Sequence, residues 1–233
     1  MNNFCLYCES PIKETVTWRG LFYSDPQYLC AECQKGLQPI EGRRCSHCSR
    51  SLEKLPNELK KDKVCLDCFR WEEDPNWKGI LQQNTSLFEY NDFLKEYLAR
   101  YKYRGDHTLA KTFGSHLANC IQPLLFDHII PIPLSNERQY ERGFNQSAAF
   151  LEEAGITPSQ LLTRSDSEKQ SKKSRQERLQ QKQIFSLNET ALSKQSILIF
   201  DDIYTTGTTL RQAAKLLKEA GAQRVTSLTL ARG

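Results

Sequence analysis

The spacing of apolar residues changes along the chain, and after about residue 85 short apolar runs alternate with stripes at helical spacing. The apolar runs predict strands, at residues 86–90, 127–133, 197–200 and 224–230. The stripes predict helices, at residues 93–101, 109–125 and 210–220, with a further helix that ends before Gly155. The last two strands and the helix between them form a βαβ unit, whose strands we expect to be parallel with a right-handed crossover.

The stretch Ser196–Thr209 combines the apolar strand with candidate chemistry. Ile197–Phe200 is apolar at every position, which is typical of a strand buried on both faces in a parallel sheet. Asp201 and Asp202 follow, and a hydroxyl-rich loop around one glycine then leads into a helix. Free backbone N–H groups at a helix start suit a phosphate, and carboxylates suit sugar hydroxyls or Mg²⁺. The stretch therefore predicts a sugar-phosphate site at the carboxyl end of a strand.

Eight of the nine cysteines form four C-x-x-C pairs in the first 78 residues. Such pairs place two thiolates on one side of a tetrahedral ion, and a second pair closes a Cys₄ zinc site. The simplest pairing joins the first two pairs in one structural site and the last two in another, although spacing does not exclude crossed pairing, disulfides or an iron–sulfur cluster. The candidate ligands are Cys5, Cys8, Cys30, Cys33, Cys45, Cys48, Cys65 and Cys68. The ninth, Cys120, falls on a predicted buried stripe and is interpreted as a core residue.

Charge is distributed unevenly along the chain. Residues 1–78 hold twelve cations and twelve acids, so zinc thiolates would make this module negative and favour a protein-docking role over gripping phosphates. Residues 164–182, which we call the basic segment, hold seven cations and three acids. This excess of four positive charges equals the net charge of the whole chain, +4. No apolar run approaches the roughly 20 residues of a membrane span. With no signal peptide evident at the start, we expect a cytoplasmic protein that meets the membrane only through partners.

Basic and aromatic residues alternate at the end of the predicted helix at residues 93–101. The basic residues are Arg100, Lys102 and Arg104, with tyrosines between them. Cations for the backbone and rings for base stacking are typical of a platform for single-stranded nucleic acid. The same alternation also suits the end of an amphipathic helix, which is the simpler interpretation. With Lys173 and Arg175 of the basic segment, these residues are the candidate nucleic-acid contacts.

Ser196–Thr209 resembles the PRPP signature of type I phosphoribosyltransferases, in which hydrophobic residues precede D-D, two further residues and T-T-G-x-T. The runs P-I-P-L, from Pro131, and R-G-F-N-Q-S, from Arg142, narrow the resemblance to the ComF family of competence proteins. That family joins a cysteine-rich zinc module to a phosphoribosyltransferase-like domain, and the match covers essentially the whole chain. The expected fold is α/β: a type I phosphoribosyltransferase-like core over residues 79–233, with a parallel sheet flanked by helices. A small double zinc-ribbon or knuckle module over residues 1–78 completes it.

The resemblance also implies roles for individual residues. The acid pair would hold ribose hydroxyls and, partly through water, Mg²⁺, while the loop after it would wrap the 5-phosphate. The implied PRPP-binding residues are Asp201, Asp202, Thr205, Thr206, Gly207, Thr208, Thr209, Pro133 and Ser135. The basic segment corresponds to a mobile loop over the pyrophosphate, matched at Gln170, Ser171, Ser174 and Arg178, with Lys172 and Arg178 as candidate catalytic residues. Lys173 and Gln181 depart from the family pattern.

Two functions from different classes follow. The first is a competence factor that helps bring single-stranded DNA inward, with a PRPP site and a zinc module that docks a ComFA-type helicase. The second is an active phosphoribosyltransferase with an unidentified acceptor. Purine-salvage enzymes carry an aspartate base where this chain has Thr205, and their base-reading hood is not evident, so the resemblance favours PRPP binding more than transfer.

Overall fold

The computed structural model describes residues 4–12, 26–103, 106–164, 184–188 and 191–233. The strands are β1 (Lys60–Lys61), β2 (Val64–Cys65), β3 (Asn84–Glu89), β4 (His128–Pro131), β5 (Leu162–Arg164), β6 (Phe185–Leu187), β7 (Ser196–Tyr204) and β8 (Arg224–Arg232). The α-helices are α1 (Ala31–Gly36), α2 (Leu66–Glu73), α3 (Asp92–Tyr103), α4 (Gly114–Ile121), α5 (Asn136–Arg142), α6 (Gln146–Glu153) and α7 (Thr208–Glu219). Short 3₁₀ helices cover Asn57–Leu59 and His107–Phe113. Within these ranges no helix has both the length and the apolar character to cross a lipid bilayer.

A four-stranded parallel sheet forms the centre of the molecule, in the spatial order β3, β8, β7, β4. Successive side chains of β7 point to opposite faces, so Ile197 and Ile199 join one buried cluster while Leu198 and Phe200 join another. Helices α3, α4 and α6 contribute to the cluster on one face, and α7 to the cluster on the other. Both faces are therefore covered, which explains why β7 is apolar without alternation.

The cysteine module spans one edge of this sheet. Between its two halves, Pro39 bridges Phe88 in antiparallel fashion and the Ile40 amide donates to the Leu87 carbonyl, so this short segment covers the free edge of β3. Cys5 and Cys33 belong to the buried cluster on the α3 face, whereas the last four paired cysteines belong to the cluster on the α7 face. The module is thus packed against the core on both sides of the sheet.

The two halves of the module repeat one local structure. In each half the first C-x-x-C pair lies in a tight turn, where the Cys5 amide donates to Ser10 and the Cys45 amide to Arg50. The second pair begins a helix, because Cys30 is the N-cap of α1 and Cys65 the N-cap of α2. A helix N-terminus favours a thiolate, so the same arrangement places negative sulfur where the backbone supports it.

The structure confirms the parallel sheet flanked by helices and the βαβ unit of β7, α7 and β8. It corrects two predictions. The predicted helix at 109–125 is two elements, a 3₁₀ helix and α4, and the Tyr97 hydroxyl bonds the Leu109 carbonyl at 2.9 Å, a tertiary partner that periodicity does not reveal. From the sequence, the run Glu72–Pro75 between Trp71 and Trp77 is typical of a linker, and this second prediction is also wrong. Trp71 lies in α2 and Trp77 is buried against it, with ring centroids 5.2 Å apart.

Candidate functional site

The acid pair lies at the carboxyl end of β7, directly before a loop that leads into α7. Asp201 and Asp202 are residues of the last part of the strand, and Thr205–Gly207, which we call the phosphate-type loop, connects the strand to α7. Gly207 is the N-cap of α7 with φ of +79°, a left-handed conformation that favours glycine. A Cβ at this position would lie 2.1 Å from the Tyr204 hydroxyl oxygen, so only glycine lets the loop pack this closely. The start of α7 then offers backbone N–H groups beside the exposed threonine hydroxyls.

Asp201 sits in a polar but sheltered environment. Its Oδ1 accepts a hydrogen bond from the Asp202 amide at 2.9 Å and one from the Ser147 hydroxyl at 3.3 Å. Burial, and then the neighbouring Asp202 charge, raise the pKa of Asp201 to about 8. A ligand that donates hydrogen bonds to this carboxyl would favour its ionised form.

Asp202 forms an ion pair with Lys102 of α3. Both side chains are sheltered, with 18% of the lysine and 14% of the aspartate exposed. Tyr101, next in the chain, is fully buried, and burial followed by the Asp202 charge raises its pKa. The last turn of α3 thus borders the acid pair, and Lys102 belongs to this site.

The loop at residues 131–135, which the family resemblance places against the pyrophosphate, follows β4 and borders β7. The Ile132 amide donates to the Phe200 carbonyl at 2.9 Å, which places Pro133 and Ser135 at the same edge of the sheet as the acids. Ser135 is the N-cap of α5 and accepts from the Arg138 amide at 3.4 Å. Asn145 caps α6 and donates to the Ile132 carbonyl at 3.0 Å, so the R-G-F-N-Q-S run fastens this loop to α6.

A layer of rings and guanidinium groups supports the phosphate-type loop from below. Tyr204, the residue before the loop, lies between Arg232, 4.8 Å from its ring centroid, and Arg211, whose Nη1 donates to its hydroxyl. Arg211 is fully buried, and its Nε and Nη2 have no hydrogen-bond partner among the described residues. This unneutralised cation lies beneath a loop that is shaped for an anion.

The cysteine module reaches this layer through Trp71. The indole lies 4.8 Å from the Arg211 guanidinium, and its N–H donates to the Thr206 carbonyl at 3.1 Å. Trp71 follows Cys68 by one turn of α2, and Arg232 donates through Nε to the Cys48 sulfur at 3.4 Å. The second half of the module therefore contacts both the loop and Arg232, the residue that packs on Tyr204.

Each set of four paired cysteines gathers its sulfur atoms within 4.8 Å of one another. We call Cys5, Cys8, Cys30 and Cys33 the first tetrad, and Cys45, Cys48, Cys65 and Cys68 the second tetrad. The Cys8–Cys30 and Cys48–Cys65 sulfur distances are both 3.6 Å. Four thiolates around one zinc ion lie about 3.8 Å apart, so both tetrads fit Zn²⁺ and match the simplest pairing of the C-x-x-C units. Closed Cys₄ sites leave no position for a substrate.

A cavity of about 500 Å³ opens between the module and the loop. Thr205, Thr206 and Gly233 border it from the core, and the side facing them is formed by Arg50, Asp67, Arg70, Trp71 and Asp74. Arg50 bridges the two sides, since it pairs with Asp67 at 2.7 Å and donates to the Gly233 carbonyl at 3.2 Å. The cavity therefore joins cationic, acidic and aromatic groups directly beside the phosphate-type loop.

The remaining candidates are placed differently from the acid pair. Arg100 donates to the Tyr7 carbonyl at 2.8 Å and lies 4.2 Å from the Tyr7 ring, so it fastens α3 to the first half of the module. Arg104 and the basic-segment residues Lys172, Lys173, Arg175 and Arg178 lie outside the described residues, as do Gln170, Ser171 and Ser174. The described flanks of that segment, β5 and β6, pair with each other as an antiparallel ribbon.

Lys102, Trp71, Arg211 and Ser147 are the site residues that sequence reasoning does not assign to this site. The sequence pattern indicates a nucleic-acid contact at Lys102 and a linker at Trp71. Neither pattern shows the true partner, because Asp202 is far from Lys102 in the chain and Thr206 lies 135 residues from Trp71. Arg211 could have been identified from the sequence, because it is a cation on the otherwise small and apolar buried face of α7.

Comparison with known proteins agrees with the motifs. A family model described as "Phosphoribosyl transferase domain" matches residues 158–233. Competence protein ComFC of Bacillus subtilis is 39% identical over 233 residues, covering 98% of this chain and 94% of that protein. Competence protein ComFC of Streptococcus pneumoniae is 33% identical over 230 residues, covering 98% and 99%.

Among solved structures, the glutamine phosphoribosylpyrophosphate amidotransferase of B. subtilis, complexed with ADP and GMP, aligns with 53% of this chain and 26% of that chain. Its sequence identity is 20% and its TM-score 0.38. The two ComFC relatives match nearly end to end at 39% and 33% identity, which confirms the resemblance drawn from the motifs. The chain belongs to the ComFC family of competence proteins.

Proposed function

We propose that this chain acts in competence as a PRPP-binding protein that helps bring single-stranded DNA into the cell. The observation that carries the sugar-phosphate part is the geometry at the end of β7: two acids of the strand, a left-handed glycine in the loop and the N-terminus of α7 follow one another along the chain. The membership of the competence family supports the cellular role.

In this proposal each group of the site has one task. The backbone N–H groups of Gly207 to Thr209 and the hydroxyls of Thr205, Thr206 and Thr208 hold the 5-phosphate. The buried Arg211 adds positive potential from beneath, without contacting the ligand. Asp201 and Asp202 accept hydrogen bonds from the ribose hydroxyls, and Pro133–Ser135 borders the pyrophosphate. Arg178 and Lys172 of the basic segment complete the set.

The DNA part of the proposal depends on the basic segment more than on α3. Arg100 and Lys102 already have partners within the protein, whereas Lys173 and Arg175 belong to a segment that carries the excess positive charge of the chain. Binding through such cations is non-specific and weakens as salt displaces them. The zinc module is proposed to dock a ComFA-type helicase, because closed tetrads are structural and its outer surface exposes Phe4 and Leu59.

Isothermal titration with PRPP tests the shared premise. The wild type should bind, and the double variant Asp201→Asn, Asp202→Asn should lose at least tenfold in affinity, since neutral amides replace two acceptors for ribose hydroxyls. A wild type that fails to bind PRPP, with or without Mg²⁺, would refute the proposal.

Transformation efficiency tests the cellular role. A strain lacking the gene should take up donor DNA normally at the surface but yield few transformants, and the double variant should fail to restore them. Binding of labelled single-stranded DNA should weaken steeply with rising salt. An affinity that stays constant across that range would remove the DNA part.

The cavity beside the loop favours a second function, transfer of ribose-5-phosphate to an acceptor. It adjoins Thr205 and Thr206 and carries Trp71, Arg50 and Asp67, groups that can stack on a heterocycle and bond its edges. Pyrophosphate release from PRPP across a panel of nucleobases and nucleic acids tests it. Pyrophosphate release that depends on one acceptor would establish the transferase.

A further inference from the structure

The last turn of α3 brings a lysine into the sugar-phosphate site. Lys102 forms an ion pair with Asp202, and each side chain is less than one fifth exposed. Asp201, the other acid, bonds Ser147 and the Asp202 amide. One member of the acid pair is therefore balanced by a protein cation before any ligand arrives.

The ion pair is not needed to dock the helix that carries it. α3 already buries Leu94, Tyr97, Leu98 and Tyr101 against the core. Removing a lysine and an aspartate from water costs free energy that their mutual attraction recovers only in part. A sheltered ion pair on an already anchored helix therefore indicates a role at the acids themselves.

Carboxylate pairs in sugar-phosphate sites usually suggest Mg²⁺, and the family resemblance of this chain implies the same ion. Mg²⁺ requires an octahedral shell of oxygen atoms at about 2.1 Å, with carboxylates and waters as ligands. Here the ammonium of Lys102 contacts the Asp202 carboxylate, and Asp201 is engaged by Ser147 and a backbone amide. The acid pair as built does not fit a divalent ion.

We propose that Lys102 supplies at this acid pair the positive charge that a divalent ion supplies elsewhere, so that the site binds its sugar phosphate without requiring Mg²⁺ at the acids. The inference rests on the proposed PRPP site. Lys102 contacts Oδ2 of Asp202 and lies beside the acid pair, where its positive charge also favours the pyrophosphate of the ligand. Lys102 thereby decides whether the site depends on metal.

Two titrations on zinc-loaded protein test this proposal. The first adds Mn²⁺ alone and follows free Mn²⁺ by electron paramagnetic resonance. The second adds PRPP by calorimetry, in EDTA and in Mg²⁺. The variants are Lys102→Gln, which removes the charge, and Lys102→Arg, which keeps it. Lys95→Gln is the matched control, because Lys95 is an exposed lysine of the same helix. Circular dichroism checks that every variant is folded.

We expect the wild type and Lys95→Gln to bind Mn²⁺ weakly, and Lys102→Gln to bind it at least tenfold more tightly, since the Asp202 carboxylate then has no ammonium partner. The wild-type affinity for PRPP should differ less than threefold between EDTA and Mg²⁺. Lys102→Gln should lose at least tenfold in EDTA and recover in Mg²⁺, and Lys102→Arg should behave like the wild type.

Two results would overturn the proposal: an unchanged Mn²⁺ affinity in Lys102→Gln, or a wild-type PRPP affinity that falls tenfold when Mg²⁺ is removed. A wild type that binds no PRPP in either buffer refutes the proposed function instead. The Mn²⁺ titration needs no PRPP, so it still supports or overturns the role of Lys102 in that case.

Discussion

Gly207→Ala provides a direct test of the phosphate-type loop. Gly207 has φ of +79°, and an alanine Cβ there would lie 2.1 Å from the Tyr204 hydroxyl oxygen and 2.6 Å from Nη1 of Arg211. Neither neighbour can move easily, because Tyr204 is buried between Arg211 and Arg232. The substitution therefore adds a steric overlap to an unfavourable backbone conformation.

The magnitude follows from these two terms. A left-handed conformation costs an L-residue about 1–2 kcal/mol, and overpacking a buried site costs about 1–3 kcal/mol more. Gly155→Ala isolates the first term, because Gly155 has φ of +74° and a Cβ added there would meet nothing within 4 Å. At roughly 2–4 °C per kcal/mol for a protein of this size, Gly155→Ala should lower Tm by about 2–8 °C.

Thermal unfolding and calorimetry with PRPP separate the effects. If the loop keeps its conformation in the variant, Gly207→Ala should lower Tm further than Gly155→Ala. If the loop changes conformation instead, PRPP binding must restore it, and a free-energy cost of 2 kcal/mol corresponds to about a 30-fold loss of PRPP affinity. A Gly207→Ala protein with the Tm of Gly155→Ala and an affinity within twofold of the wild type would refute this account of the loop.

Three further predictions concern the support of the site, its protonation and its metal. Trp71→Phe removes the donor to the Thr206 carbonyl, a hydrogen bond worth about 1 kcal/mol, and should weaken PRPP binding roughly fivefold by calorimetry; equal weakening in Trp77→Phe would contradict a specific contact. The folded-state pKa of Asp201 is raised from 3.8 to about 8, so the stability it contributes is present below pH 4 and is lost as pH rises through 8. Chemical denaturation should show the wild type losing stability relative to Asp201→Asn over that window, by at most about 1.4 kcal/mol per pH unit, and a gain would reverse the sign of the shift. Elemental analysis should find two zinc ions per chain, and one cysteine-to-serine change in either tetrad should leave one ion; loss of both ions would show that the tetrads are not independent.

Local patterns account for the parts of the site that lie within one segment. The strand before Asp201, the glycine of the loop and the helix after it are neighbours in the chain, so their order alone predicts a strand, a loop and a helix N-terminus. The four C-x-x-C pairs carry their spacing in the same way. The spacing of the pairs favours one grouping into two tetrads but does not exclude others. The positions of the sulfur atoms in the structure match the simplest grouping.

Assignments fail where a residue's partner is remote in sequence. The interleaved cations and tyrosines at the end of α3 are typical of a nucleic-acid platform, and more simply of the end of an amphipathic helix. Nothing local shows that Lys102 contacts Asp202. The tryptophan pair resembles a linker because acidic residues and a proline lie between the two rings. The contacts of Trp71 with Arg211 and Thr206 reach across more than a hundred residues.

The sequence by itself determined the chemistry available to this protein: thiolates for two metal sites, two acids, and a loop suited to a phosphate. The tertiary structure decided which groups share a site. It placed a lysine on one acid and an indole beneath the loop, because folding the parallel sheet brings the ends of α2, α3 and β7 together. Ion pairs and hydrogen bonds act over a few ångströms, so their partners are set by packing and not by distance along the chain.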